Sequence, residues 1–210
     1  DGSFFKPSLI TDSANNIYLS CSFTNSAIIG DTTISGDSTA NILIAKLNPM
    51  GDLIWAKGAG GNADDYGQGL SLDAENNLYA SGNYFSNSIN FDGNNIQNSG
   101  GLEVYLVKLS NSGDFLWAKS YGSTGDDIFQ HSVTDIYGNT FLSYGPSYTA
   151  YASNSIKIDK NGAPVWNKEI ANAGINTLSL DSSQSLFCAG TFKNVINLDG
   201  FELQSVGNYD

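Results

Sequence analysis

One stretch of sequence recurs along this chain. IWAKGAGGNADDYGQGLSLDAENNLYASG begins at Ile54, LWAKSYGSTGDDIFQHSVTDIYGNTFLSYG at Leu116, and VWNKEIANAGINTLSLDSSQSLFCAG at Val165. Trp55, Trp117 and Trp166 head the three copies, 62 and then 49 residues apart. Lys46, Lys108 and Lys157 each precede a repeat tryptophan by nine residues, and a glycine (Gly51, Gly113, Gly162) follows each lysine by five. Asp12, Asp73, Asp135 and Asp181 each stand five residues before an apolar run. Self-similarity of this kind describes one supersecondary unit stacked on copies of itself. Spacings shared by all copies belong to the framework, so function has to be sought in what differs.

Each unit divides into four short strands, A to D. QGLSL ending at Leu72, NLYASGNY from Asn77, VYLVKLS from Val104 and FLWAKSY from Phe115 represent them. They are rich in the β-branched and aromatic residues that fit a pleated, half-buried surface. DSANN, DAENN, DIYGN and DSSQS join A to B, and NPMGD, NSGD and KNGA join C to D, which is turn chemistry. No stretch carries a helical apolar period, so no helix is expected. Four antiparallel strands per repeat with conserved tight turns specify a blade of an all-β propeller. About 3.5 blades are expected, spanning roughly 4–60, 61–124, 125–172 and an incomplete 173–210. Copy three is shorter: SYTAYASN replaces the long B–C segment of its neighbours.

The glycine-asparagine turns, the Lys-containing strand C and the following G..lWA run resemble the bacterial SBBP-type propeller repeat. The resemblance covers nearly the whole chain and implies a seven-bladed ring in secreted or outer-surface bacterial proteins. A half-blade leaves an unpaired strand edge, which propellers avoid by closing. The expectation is therefore that the remaining blades lie elsewhere in a larger protein. The alternative is that two copies of the chain pair.

Composition narrows the function classes. The net charge is −12 and there is no arginine, which argues against nucleic-acid binding. No span is apolar enough for membrane insertion. Richness in Gly, Ser, Asn and Asp suits an extracellular or bacterial outer-surface location. Cys21 and Cys188, on strands B of distant blades, cannot reach each other and read as free buried thiols.

The single histidine, His131, lies within a strand A. No second histidine or activated nucleophile accompanies it, which favours a packed or channel-lining role. Asp64–Asp65 and Asp126–Asp127 occupy equivalent D–A loops, GGNADDYG and GSTGDDIF. Paired carboxylates among small residues could hold calcium; the alternative is that they cap the turn through backbone N–H groups. No other cofactor is indicated. The long B–C segments alternate apolar and polar residues around Gly/Asp turns, and Tyr66, Tyr84, Phe85, Tyr121 and Phe192 fall near these loops. Such aromatics could stack on a sugar or seal blade against blade. The reading is a non-catalytic binding or display scaffold that engages protein or glycan partners through B–C and D–A loops. A glycan-cleaving propeller enzyme and a purely structural spacer are the alternatives.

Overall fold

The computed structural model describes residues 7–146, 152–198 and 200–207. Among them all regular structure is β, in twenty strands. Blade one comprises β1 (Ser8–Thr11), β2 (Ile17–Phe23), β3 (Ser26–Ile29), β4 (Thr32–Ser35), β5 (Asn41–Leu47) and β6 (Leu53–Ala59). Blade two comprises β7 (Asp65–Leu72), β8 (Leu78–Tyr84), β9 (Ser88–Phe91), β10 (Asn94–Gln97), β11 (Glu103–Leu109) and β12 (Phe115–Tyr121). Blade three is β13 (Asp127–Thr134), β14 (Thr140–Pro146), β15 (Ala152–Ile158) and β16 (Pro164–Ala171). A fourth unit supplies β17 (Ala173–Leu180), β18 (Leu186–Phe192), β19 (Val195–Leu198) and β20 (Phe201–Gln204).

The sheets run β1-β2-β5-β6, β7-β8-β11-β12 and β13-β14-β15-β16, each antiparallel, with β17 paired to β18. The inner strands β1, β7, β13 and β17 pack in succession, each against the next. This is a partial β-propeller of three four-stranded blades and the inner pair of a fourth, with the inner strands nearest the common axis.

The repeated aspartates build the same A–B turn in every unit, and in blades one and two a tyrosine and a lysine complete it as a cluster. Asp73 Oδ1 accepts hydrogen bonds from Glu75 and Asn77 N–H, and its Oδ2 accepts from Asn77 Nδ2 and the Tyr79 hydroxyl. Asp12 does the same with Ala14, Asn16 and Tyr18, and Asp135 makes the equivalent turn with Tyr137 and Asn139. Four such A–B turns place Asn15, Asn76, Gly138 and Gln184 at positive φ, a region Asn and Gly tolerate. The strand-C lysine then closes the cluster. Lys108 Nζ sits 3.3 Å from Asp73 Oδ2 and 4.8 Å from the Tyr79 ring centroid, and Lys46 lies likewise over Tyr18. Both lysines are buried with their ammonium groups engaged. Burial raises the Asp73 carboxyl, but the bonds from Asn77 and the Lys108 charge outweigh it and hold it below the usual value.

The tryptophans stitch one blade to the next. Trp55 Nε1 donates to Asn111 O at 3.2 Å, and Trp117 Nε1 donates to Lys160 O at 3.1 Å. Each acceptor lies in the C–D turn of the following blade. The turn glycine lies against the same indole: a Cβ on Gly113 would stand 2.8 Å from Trp55 Cδ2.

The B–C segments fold as hairpins, and their role differs from the expected open interaction loops. β10 packs on β12, and β4 on β6, the outer strand of the same blade. Phe91 is fully buried between Tyr105 and Phe115, with ring centroids 5.5 Å apart in both cases. Ile89 and Ile96 are buried beside it. In blade two the apolar half of the alternation therefore belongs to the core, whereas in blade one Ile28 of the hairpin is exposed. Blade three has no such hairpin among the described residues; β14 pairs directly with β15, and part of SYTAYASN lies outside the described residues. Cys21 is half-buried, as a free thiol on an inner strand pair should be, whereas Cys188 is exposed, because no described strand flanks the far edge of β18.

Candidate functional site

The acidic pairs occupy equivalent positions and act as backbone clasps. Asp65 N donates to Ala40 O at 2.8 Å, while Asp64 Oδ1 accepts from Ala40 N at 2.8 Å. Asp127 N donates to Leu102 O at 2.6 Å, while Asp126 Oδ1 accepts from Leu102 N at 2.9 Å. Each pair thus ties the start of one blade to the head of strand C in the blade before it. The second carboxylate of each pair closes its own loop. Asp65 accepts from Gly61 N, Ser86 N and Ser86 Oγ, and Asp127 from Ser123 N and Ser123 Oγ. Burial pushes the Asp65 carboxyl up to about 6, against the Ser86 and Gly61 bonds, with the Asp64 charge adding to the rise. Asp127 is raised in the same way, with Glu103 and Asp126 contributing. Among the described residues no group of three or more His, Cys, Asp or Glu side chains is placed to hold a metal ion.

The aromatic candidates are not brought together on a surface. Tyr66 is buried and donates its hydroxyl to Asp64 Oδ2. Tyr84 is fully buried; its hydroxyl meets Gln97 O, Glu103 Oε2 and Ser120 Oγ, and Ser120 also donates to Glu103. Tyr121 is buried and donates to Gly162 O of the next blade. Phe85 is exposed, and Phe192 is half-buried at the end of β18.

The inner strands carry a feature that the repeat alignment did not single out. Each of β7, β13 and β17 breaks register once with a bulge, and the bulged residues are Gln68, Gln130 and Asn176. The alignment could have found them, since all three lie five residues before the repeat aspartate and all are amides. His131 follows Gln130 directly. Its Nδ1 accepts a hydrogen bond from Leu178 N of β17 at 3.3 Å, which joins blade three to the next unit. An accepting Nδ1 leaves the neutral ring with its proton on Nε2. Burial lowers the His131 pKa and so favours that neutral form. The inner strands contain no lysine.

No protein-family model matches the chain, and no curated protein matches it. Among solved structures it is similar to a gluconolactonase from Xanthomonas campestris, with 15% identity, a TM-score of 0.50, and coverage of 87% of this chain and 52% of that one. The chain therefore spans about half the length of that protein. At this identity the likeness concerns the fold, and it agrees with the propeller seen here.

It also corrects the functional expectation. A scaffold that does no chemistry was inferred from missing catalytic motifs, yet the similar fold belongs to an enzyme. Function resides in sites grafted onto a fold, and a propeller site gathers residues from several blades with no shared linear motif.

Proposed function

We propose that this chain forms part of a propeller hydrolase that opens a sugar-derived lactone to its hydroxy acid, with the substrate held against the inner strands. The observation that carries this reading is His131. It is a neutral imidazole on the inner strand of blade three, fixed by the Leu178 N–H so that its Nε2–H is left as a donor. A donor of that kind stabilises the oxyanion that develops when water adds to a lactone carbonyl. The similarity to a gluconolactonase fold supports the substrate class. The same reading takes the repeats as SBBP-type and the protein as secreted or displayed on a bacterial outer surface, which the acidic, arginine-free composition supports.

The test is acid release from D-glucono-1,5-lactone, followed by pH indicator against the spontaneous rate, with sugar lactones of other ring sizes alongside. Acceleration that falls about a hundred-fold in His131→Ala supports the reading, since loss of one oxyanion donor costs roughly that much. Rates equal to the spontaneous ones across the lactones overturn it.

A further inference from the structure

We infer that Gln68, Gln130 and Asn176 form an arc of amides around the propeller axis that binds the hydroxyl groups of a neutral polyol or sugar; this deepens the proposed hydrolase reading and rests on its placement of the ligand.

The register of β7 isolates one residue. Gly67 pairs with Gly82 and Gly69 with Ser81, which leaves Gln68 unpaired. A Cβ on Gly67 would meet Ser20 Oγ and Cys21 O, in blade one. A Cβ on Gly69 would meet Phe129 Cζ and Ser132 Oγ, in blade three. The residues on either side of Gln68 thus face opposite neighbouring blades. Gln68 is the unpaired residue between them, and the edge of β7 away from β8 carries no further strand. A bulge is a common means of re-aiming a side chain beside a functional site. The other inner strands repeat the arrangement. Phe129 packs toward blade two, His131 toward β17, and Gln130 lies between them. Ile175 packs into blade three, Thr177 is exposed, and Asn176 lies between. Because β7, β13 and β17 pack in succession, three equivalent bulges set three amides side by side along the inner edge.

A second observation is independent of the register. Gln68 Oε1 is buried and accepts no hydrogen bond from any described residue. Buried polar atoms are ordinarily satisfied, so an orphan acceptor marks a place where a donor belongs. A hydroxyl group supplies that donor and can accept from the amide NH2 in return.

The ligand class follows from charge. An amide donates and accepts without a charge of its own, as suits hydroxyl groups. The inner strands hold no lysine, and Asp65 and Asp127 stand at their heads, so anions are disfavoured. A neutral polyol is therefore preferred to a sugar acid, and the anion formed by lactone opening leaves the more easily.

The experiment is NMR titration of the whole chain with D-sorbitol, which cannot be hydrolysed, following the side-chain NH2 signals. The result expected is a saturable shift of the Gln68, Gln130 and Asn176 signals, with binding weakened about three- to ten-fold in each of Gln68→Ala, Gln130→Ala and Asn176→Ala. Gln68→Glu, which keeps the side-chain length and removes the NH2, should weaken binding similarly, and sodium gluconate should shift the signals less than sorbitol. Unshifted amide signals, or affinity unchanged in the alanine variants with melting temperatures retained, overturn the inference even if lactone is hydrolysed. Sorbitol binding through the amides without lactone hydrolysis would uphold the arc and reject only the hydrolase.

Discussion

Asp65 and His131 respond to acid in opposite directions. The Asp65 carboxyl titrates near 6 in the folded state and near 3.8 when unfolded. Between those values the folded chain holds a proton that the unfolded chain has released. Stability from this group therefore rises as the pH falls from about 6 toward 4, and is lost as the pH rises through 6. Asp65→Asn should abolish that slope, a span on the order of 3 kcal/mol at about 1.4 kcal/mol per pKa unit. Thermal melts of both proteins from pH 4 to 7.5 measure it; parallel curves would refute the assignment. His131 works the other way. Its folded pKa lies below the ordinary 6.5, so the unfolded chain takes up its proton first. Stability from His131 is complete above 6.5 and declines as the pH falls below it. Protonation would also abolish the Nδ1 acceptor used by Leu178 N. His131→Ala should lose this acid sensitivity below pH 6.5 while Asp65→Asn retains it, which the same melts separate.

The turn glycines test the stitching of blade to blade, because chemically identical residues meet different neighbours. Gly51 and Gly113 share a positive φ, +87° and +90°, but a Cβ on Gly51 meets nothing within 4 Å while one on Gly113 meets the Trp55 indole. Gly51→Ala should therefore cost only the backbone strain, about 1 kcal/mol. Gly113→Ala should cost some 1–3 kcal/mol more through overpacking. Denaturant midpoints of the two variants give the difference, and equal midpoints would contradict the seating of the turn on Trp55. The hairpins give a parallel contrast. Phe91→Ala should destabilise by about 3–5 kcal/mol, since Phe91 is fully buried, whereas Ile28→Ala in β3, at 72% exposure, should be near neutral. These elements also show how far the chain can be read. Strands A to D were legible because period-2 apolar runs alternate with Asp/Asn/Gly turns at fixed offsets. The hairpins were legible as hairpins, but their alternation says only that one face is buried, and the outer strand that buries it is a tertiary fact. Likewise the doubled aspartates announce carboxylates, while their engagement by the N–H groups of Ala40 and Leu102 depends on a neighbouring blade. The bulge amides escaped because a one-residue register shift leaves no composition signal; only the comparison of β7, β13 and β17 exposes it.

Direct hydrogen bonds join each blade to the next, and Asn83 is a fully buried node between blades two and three. It is fully buried in β8 of blade two, donates Nδ2 to Asp127 O at 2.7 Å and to Glu103 O at 3.1 Å, and accepts from Phe129 N at 3.0 Å. Three backbone groups, two of them in blade three, depend on one amide. Close by, Ser81 Oγ meets Ser132 Oγ at 2.8 Å and Ser71 Oγ meets Thr134 Oγ1 at 2.6 Å. The residue equivalent to Asn83 in blade one, Ser22, makes a lighter contact: its Oγ accepts from Gly67 N, and no further bond from Ser22 accompanies it among those described. A propeller behaves as a row of sheets whose cooperativity rests on nearest-neighbour interfaces. Removing the amide leaves buried donors and acceptors without partners, at about 1–3 kcal/mol for each group. Asn83→Ala should therefore weaken the interface between blades two and three more than either blade itself. In hydrogen exchange, amides of β13 and β14 should lose protection while those of β8 and β11 keep most of theirs. Ser22→Ala should produce a smaller, uniform loss. If Asn83→Ala lowered protection evenly across every blade, the chain would unfold as one unit and the interface would not be its point of division.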